Sequence, residues 1–102
     1  MEHHGVKIDE KALNIFCSRH GIQRLSLFGS IIHDDFKAAS DVDVLVEFGK
    51  SGVPGLLRMV ELETELSALI GRKADLRTPA ELSRHFRAEV MREAETLYDQ
   101  TK

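Results

Sequence analysis

The sequence predicts an α/β or α+β fold, in which helices pack on a small β-sheet. Segments with apolar residues at spacings of three and four, which are typical of helices, alternate with short β-branched and apolar runs, which are typical of strands. The 102 residues suffice for one hydrophobic core and are too few for two, so we expect a single domain over residues 1–102. A flavodoxin-like parallel sheet is the alternative fold.

Composition and charge exclude several classes of protein. The formal net charge of -3 argues against direct nucleic-acid binding, because that role needs an excess of basic residues. The one cysteine, Cys17, excludes an internal disulfide and suits a reducing cytosol, so we expect a cytoplasmic protein. No apolar run approaches the roughly 18 residues of a membrane span, and we expect no membrane partner.

The N-terminal part of the chain predicts a short tail followed by a helix. We expect residues 1–8 to be a flexible N-terminus. Asp9 is a suitable N-cap for a helix that ends at Arg19. Ile8, which precedes the cap, is expected to pack on Leu13 as a hydrophobic staple.

Two apolar runs in the first half of the chain predict strands, at Ile22–Phe28 and Val42–Phe48. The dipeptide Gly29-Ser30 ends the first run, and we expect a short helical turn from there to about His33. A polar loop then leads to the second strand.

The second half of the chain predicts a helix, a strand and a further helix. The long helix has Pro54 in its first turn and Gly71 at its end. Its expected inner face carries Leu56, Met59, Leu62, Leu66 and Leu69. A brief third strand is expected at Ala74–Arg77, and Thr78 and Glu81 have the spacing of a capping box. The last helix would pack through Phe86, Val90, Ala94 and Leu97.

Two carboxylates stand where the second strand begins. Residues i and i+2 of a strand point to the same face, so Asp41 and Asp43 are expected to project side by side. Ionised carboxylates that close repel each other unless a cation lies between them. Mg²⁺ takes one or two carboxylates and completes its shell with water and phosphates, so the pair indicates a magnesium site. A D-x-D pair alone is also common at a solvated strand start or turn.

The Gly29-Ser30 turn supplies a second indication of the same chemistry. It follows a strand and opens a helical turn, where backbone N–H groups favour an anion such as a phosphate. Glycine permits close approach to the backbone, and the serine hydroxyl adds a donor. A phosphate cradle beside a metal-binding carboxylate pair predicts a nucleoside triphosphate site.

These motifs together resemble the minimal nucleotidyltransferase family of the polymerase-β-like superfamily. The resemblance rests on "GS-x10-DVD", on the following "VLVEF" and on the isolated aspartate of "KADLRTP", and it extends to "VMREAETLY" near the end of the chain. It implies a mixed sheet of three to four strands flanked by helices. It also implies that Asp41, Asp43 and Asp75 bind the metal and are the catalytic residues. Gly29 and Ser30 would bind the nucleotide together with Asp41 and Asp43.

The resemblance further implies an activity and a partner. Members of this family transfer AMP from ATP with Mg²⁺, two ions being expected here. Minimal members are often antitoxins that bind a HEPN-type ribonuclease toxin and adenylylate a hydroxyl on it, commonly that of a tyrosine. We therefore expect a hetero-oligomer with such a toxin. Transfer to a small molecule such as an aminoglycoside is less favoured, because the chain has no separate acceptor-binding domain.

One segment departs from the family pattern. His33 stands where the family has an arginine, and Asp34 stands where it has a glycine. An arginine contacts phosphate through two parallel bonds at any pH, whereas histidine is mostly neutral at pH 7. The alternative hypothesis is therefore an antitoxin with a weak or inactive site that neutralises its toxin by contact alone.

Overall fold

A computed structural model describes residues 2–33, 36–50 and 52–100 of the chain. The described elements are β1 (Glu2–His3), β2 (Val6–Lys7), α1 (Glu10–Arg19), β3 (Ile22–Phe28), β4 (Val42–Phe48), α2 (Leu56–Ile70), β5 (Ala74–Arg77), α3 (Arg87–Glu93) and β6 (Glu95–Asp99). Single 3₁₀ turns lie at Gly29–Ile32 and Pro79–Glu81. None of the described helices combines the length and the apolar character needed to cross a bilayer.

Four strands form one mixed sheet in the order β5-β4-β3-β6. Strand β3 is antiparallel to both of its neighbours, β4 and β6. Strand β4 is parallel to β5, and α2 provides the crossover that a parallel pair requires. The predicted mixed sheet is confirmed, and the antiparallel pairs exclude the flavodoxin-like alternative.

The core lies between the helices and one face of the sheet. Its members from β4 are Val42, Val44 and Val46, and they pack in one cluster with buried side chains of the two longer helices: Leu13, Phe16, Cys17, Leu62, Leu66 and Ile70. Because side chains alternate along a strand, the residues between these valines point to the other face of the sheet. Asp43 is one of them, so burial of the valines also fixes the direction of its carboxylate.

The N-terminal segment differs from the expected flexible tail. Strands β1 and β2 pair as an antiparallel hairpin, with His3 opposite Val6. Val6 and Ile8 are buried in the core, beside the equally buried Leu13. Burial of these two aliphatic side chains stabilises the hairpin relative to the flexible tail that its terminal position predicted. Asp9 caps α1 as expected, since its Oδ1 accepts a hydrogen bond from the Ala12 N–H at 3.2 Å.

The C-terminal segment differs from the expected last helix. Thr78 and Glu81 do form the predicted capping box, but it opens only a 3₁₀ turn, because the backbone at Leu82 is extended. The helix that follows, α3, has seven residues, and none of them is buried. The segment Glu95–Asp99 is a strand, and Phe86 is exposed rather than inward-facing. Pairing with the open edge of β3 satisfies backbone groups there and outweighs the local helical periodicity.

The long helix also begins later than its pattern suggested. It starts at Leu56 after an N-cap at Gly55, and it ends as predicted at Gly71. Leu56, which was expected on the inner face, is 82% exposed. Contact with the core begins only at the partly buried Met59.

Candidate active site

The sheet brings the three aspartates of the motif together. Asp43 in β4 is the direct parallel partner of Asp75 in β5. Asp41 precedes β4 by one residue, and the Val42 N–H donates to the Lys73 carbonyl at 2.8 Å, which aligns the starts of the two strands. Both other carboxylates act electrostatically on Asp43. The structure thus places the predicted carboxylates on adjacent strands at one end of the parallel pair.

The Gly29 turn packs directly on the Asp43 carboxylate. Gly29 has a φ of +76°, in the left-handed region that favours glycine. A Cβ added there would overlap the Asp43 carboxylate and lie 3.0 Å from its Cγ. The Ser30 backbone N–H donates a hydrogen bond to the same carboxylate. Any side chain at position 29 would therefore displace Asp43.

The charge state of Asp43 reflects this crowding. Partial burial raises the pKa of Asp43, and the neighbouring charges of Asp75 and Asp41 raise it further. The Ser30 N–H and the guanidinium of Arg77 act in the opposite direction but do not cancel the rise. The ionised form of Asp43 is therefore destabilised in the folded chain.

We predict that Asp43→Asn raises the stability of the metal-free protein at neutral pH. Because the folded pKa of Asp43 lies above the unfolded value, its contribution to stability is present below the ordinary carboxyl pKa and is lost as pH rises through the raised pKa. Urea unfolding of both proteins over a pH series measures this. As pH rises from the ordinary carboxyl pKa through the raised pKa of Asp43, the wild type should lose more stability than the variant. An equal or smaller loss would show that the ionised Asp43 carboxylate does not destabilise the fold.

Two cations lie beside the carboxylates. Arg77 Nε donates to Asp75 Oδ1 at 3.2 Å, and Lys73 Nζ lies 4.0 Å from Asp41 Oδ2. Arg77 follows Asp75 by two residues on one strand, so both side chains share a face. Arg77 was not predicted as a site residue, although its i, i+2 spacing from Asp75 was the signal that could have identified it.

A further arginine holds the loop that leads into the site. One nitrogen of Arg72, Nη2, lies within hydrogen-bond distance of three carbonyls of this loop, those of Lys37 (3.2 Å), Ala38 (3.0 Å) and Ser40 (2.7 Å). Its guanidinium carbon lies 4.7 Å from the centre of the Phe36 ring. Asp41 follows Ser40 directly, so Arg72 helps to position that carboxylate.

We predict that Arg72→Ala destabilises the protein by about 1–3 kcal/mol, since the loop carbonyls lose their charged donor. Arg72→Lys should recover only part of this, because an ammonium cannot reproduce the planar contact with Phe36. Urea unfolding measures both variants, with the exposed Arg84→Ala as the matched control. A loss no larger than that of Arg84→Ala would show that the loop does not depend on Arg72.

His33 contacts a carboxylate outside the motif. Its Nε2 lies 3.4 Å from Glu93 Oε2 of α3. Its backbone N–H closes the 3₁₀ turn by donating to the Ser30 carbonyl at 3.1 Å. The other departure from the family pattern, Asp34, lies outside the described residues.

The carboxylates fit a site that a nucleotide completes. Among residues 2–33, 36–50 and 52–100, no three His, Cys, Asp or Glu side chains are arranged to hold a metal ion by themselves. Mg²⁺ needs only one or two protein carboxylates when substrate phosphates supply further oxygens. Asp41 and Asp43 offer that donor set, and the raised pKa of Asp43 indicates carboxylates that a cation would stabilise. Asp75 is engaged by Arg77, whose Nε lies 3.2 Å from Asp75 Oδ1.

Comparison with known sequences identifies a protein family and a relative that are similar to most of the chain. Residues 10–102 match the sequence profile described as polymerase beta, nucleotidyltransferase. The chain is 39% identical over 75 residues to the protein adenylyltransferase MntA of Thermococcus cleftensis, and the alignment covers 74% of each protein.

Solved structures of similar fold include toxin–antitoxin complexes. A protein proposed to be a minimal nucleotidyltransferase is 33% identical, with a TM-score of 0.68 over 83% of this chain and 85% of that one. A toxin–antitoxin structure with AMP-PNP has a TM-score of 0.71 at 19% identity, over 90% and 74% of the two chains. A complex of an MNT antitoxin with the tri-AMPylated HEPN toxin of Shewanella oneidensis has a TM-score of 0.64 at 18% identity, over 90% and 71%. The last two show likeness of fold alone, and all three confirm the fold expected from the resemblance.

Proposed function

The chain belongs to the polymerase β nucleotidyltransferase family, and we propose that within it the protein is an adenylyltransferase that moves AMP from ATP to a hydroxyl of a partner protein. One observation carries this proposal. The glycine turn after β3 packs on Asp43, which is itself paired across the sheet with Asp75. A turn for phosphates and a pair of carboxylates for a cation are thereby held within contact distance of each other.

Each side chain has a role in the proposed reaction. Gly29 and Ser30 would receive the triphosphate, with the bare Gly29 backbone permitting close approach. Asp41 and Asp43 would hold Mg²⁺, which supplies neutralisation of phosphate charge when bound. The Ser30 N–H and the packing of Gly29 keep the Asp43 carboxylate in one orientation before the nucleotide arrives.

Asp75 is suited to act on the acceptor. In the transfer, the acceptor oxygen forms a bond to the α-phosphorus of ATP while the bond from that phosphorus to the bridging oxygen breaks, and pyrophosphate leaves. The acceptor proton passes to the Asp75 carboxylate and then to solvent. Arg77, which donates to Asp75, can keep that carboxylate turned towards the acceptor.

We further propose that the acceptor belongs to a HEPN-type toxin and that the protein is its antitoxin in the cytoplasm. Support comes from the adenylyltransferase MntA, and from the fold shared with MNT antitoxins seen in complex with toxins. The chain would then form a hetero-oligomer and neutralise the toxin by modifying it.

Neutralisation by contact alone is the competing proposal. The observation that favours it is the histidine at position 33, whose Nε2 lies 3.4 Å from Glu93 Oε2. The chain then lacks, at this position, a cation directed at the triphosphate. The carboxylates and the glycine turn nevertheless retain the arrangement that transfer needs, so we favour the enzyme.

The two proposals are separated by incubating the purified protein with Mg²⁺, ATP and its neighbour-encoded HEPN-type partner. Transfer predicts that intact-mass spectrometry finds the partner heavier by one AMP for each modified hydroxyl, with pyrophosphate released. Neutralisation of the partner's ribonuclease activity without ATP and without a mass change would support contact alone. An unmodified partner that also stays active would reject both.

A further inference from the structure

Side chains close the outer edge of β5. This strand stands at one end of the sheet order, with β4 beside it. Along its other edge, three alternate backbone N–H groups donate to side chains, each at 2.9 Å: Ala74 to Ser67 Oγ, Leu76 to Glu63 Oε2 and Thr78 to Glu81 Oε1. An edge strand ordinarily presents such groups unpaired. The three side chains therefore take the place of a fifth strand.

Two of these three side chains come from α2. Glu63 and Ser67 lie one turn apart on that helix, and the Ser67 hydroxyl also donates to the Glu63 carbonyl at 2.7 Å. Their acceptors bind the N–H groups of Leu76 and Ala74, which are the residues directly after and before Asp75. The helix thus holds the strand on both sides of the third motif carboxylate.

The position of Asp75 depends on how β5 is held. The side chains of Ala74 and Leu76 are buried in the core, so Asp75 between them points to the other face of the sheet, where Asp43 is its direct partner. Strand β5 has only four residues and therefore few backbone bonds of its own to fix its register. Loss of the Glu63 carboxylate would leave the Leu76 N–H as a buried donor without this acceptor, which favours a shift of the strand towards water. Such a shift would move the adjacent Asp75.

Glu63 also lines a cavity of about 220 Å³ that has Asp75 and Arg77 in its walls. A carboxylate there could instead act on a substrate directly. The hydrogen bond from the Leu76 N–H engages Glu63 Oε2, however, and this bond needs an acceptor oxygen rather than a negative charge. An amide at position 63 can therefore replace the carboxylate in holding the strand, whereas it cannot replace an acid, a base or a metal ligand.

We propose that Glu63 is a positioning residue of the candidate active site, which accepts from the Leu76 N–H and thereby keeps Asp75 opposite Asp43. Its effect on the reaction rests on the proposed adenylyl transfer. Glu63 acts through the backbone of β5 and contributes no group to the reacting atoms.

Hydrogen exchange measured by NMR tests the backbone contact without any activity. In Glu63→Ala, the Leu76 amide should exchange at least about tenfold faster than in the wild type, because the bond that protects it is gone. Glu63→Gln should keep the protection. The matched control is Glu65→Ala, since Glu65 also belongs to α2 but accepts from Arg19 Nη2 of α1 at 2.9 Å. Unchanged Leu76 exchange in Glu63→Ala, or an equal acceleration in Glu65→Ala, would overturn the proposal.

The same spectra and the transfer assay test the positioning. The amide signals of Asp75 and Asp43 should move in Glu63→Ala and return towards their wild-type positions in Glu63→Gln. Glu63→Ala should lower the kcat of AMP transfer by about tenfold or more, as loss of a group that supports a metal-site residue does. Affinity for Mg²⁺-ATP should stay within about twofold, since Gly29 and Asp43 lie on other strands.

The conservative variant separates positioning from chemistry. Glu63→Gln should recover most of the transfer rate, and Glu65→Ala should transfer AMP at the wild-type rate even if it is less stable. A loss in Glu63→Gln as large as that in Glu63→Ala would give the carboxylate a direct chemical role and overturn the proposal. Wild-type transfer by Glu63→Ala would overturn it as well and leave the proposed function intact. If the wild type transfers no AMP, the proposed function fails, and the exchange rates and amide signals alone decide whether Glu63 holds Asp75 in place.

Discussion

Asp43→Asn is expected to reduce AMP transfer by more than about a hundredfold while leaving the fold intact. Loss of groups that merely support a metal ligand costs about 10–100-fold, and Asp43 is itself the carboxylate at the centre of the site. It lies beside Asp75, beneath Gly29 and next to the Ser30 N–H. The amide keeps the size of the carboxylate but removes the charge that would hold Mg²⁺-ATP. Radiolabelled transfer from ATP to the partner measures the loss.

The control for this change is Glu61→Gln, which removes an equal charge from a side chain that is 68% exposed on α2. It should transfer AMP at the wild-type rate. Asp43→Asn should still bind the partner and unfold cooperatively, at no lower denaturant concentration than the wild type. Wild-type transfer by a folded Asp43→Asn protein would remove Asp43 from the mechanism.

Gly29→Ala is expected to destabilise the protein and to abolish transfer. A left-handed backbone costs a non-glycine residue roughly 1–2 kcal/mol, and here the added methyl also meets the Asp43 carboxylate. Such overpacking adds about 1–3 kcal/mol. Even where the protein stays folded, Asp43 must turn away from the position in which it faces Asp75. Urea unfolding and the transfer assay measure the two effects.

Gly52 provides a matched control for this prediction. It has the same φ of +76°, but an added Cβ there has nothing within 4 Å. Gly52→Ala should therefore lose only the stability that a left-handed backbone costs a non-glycine residue, and AMP transfer should be unchanged. If the clash is with the Asp43 carboxylate, Gly29→Ala should cost less stability in an Asp43→Ala background. An equal loss of stability in Gly29→Ala and Gly52→Ala, or no coupling between positions 29 and 43, would mean that Gly29 does not pack on the Asp43 carboxylate.

The parts of the fold that were predicted correctly carry local signals. The bounds of β3, β4 and β5 and the two ends of α1 follow from short apolar runs, a capping aspartate and glycines. Asp41 and Asp43 could be proposed from the residues themselves, because a spacing of two residues on a strand predicts a common face. Asp75 was added through the resemblance, since spacing alone does not determine which strands pair.

The missed features depend on contacts between distant parts of the chain. Glu95–Asp99 has helical periodicity but pairs with β3, about seventy residues earlier. Leu56 fits the inner face of a helix, but its side chain is 82% exposed. In the sequence, Arg72 has no feature that distinguishes it from a surface cation. Its role depends on the fold, which brings the loop before Asp41 into contact with it. Sequence periodicity reports what a segment can bury and not what the rest of the molecule offers it.

The burial of Cys17 in the core determines how the protein is damaged by oxidants. Burial raises the pKa of its thiol to about 12, so almost no reactive thiolate exists in the folded state. Oxidants and alkylating agents can therefore attack this side chain only when α1 separates from the sheet. An oxidised sulfur would be too polar to return to its place in the core. A transient opening would then become permanent damage, and the lifetime of the molecule under oxidative conditions would be set by how rarely its core opens.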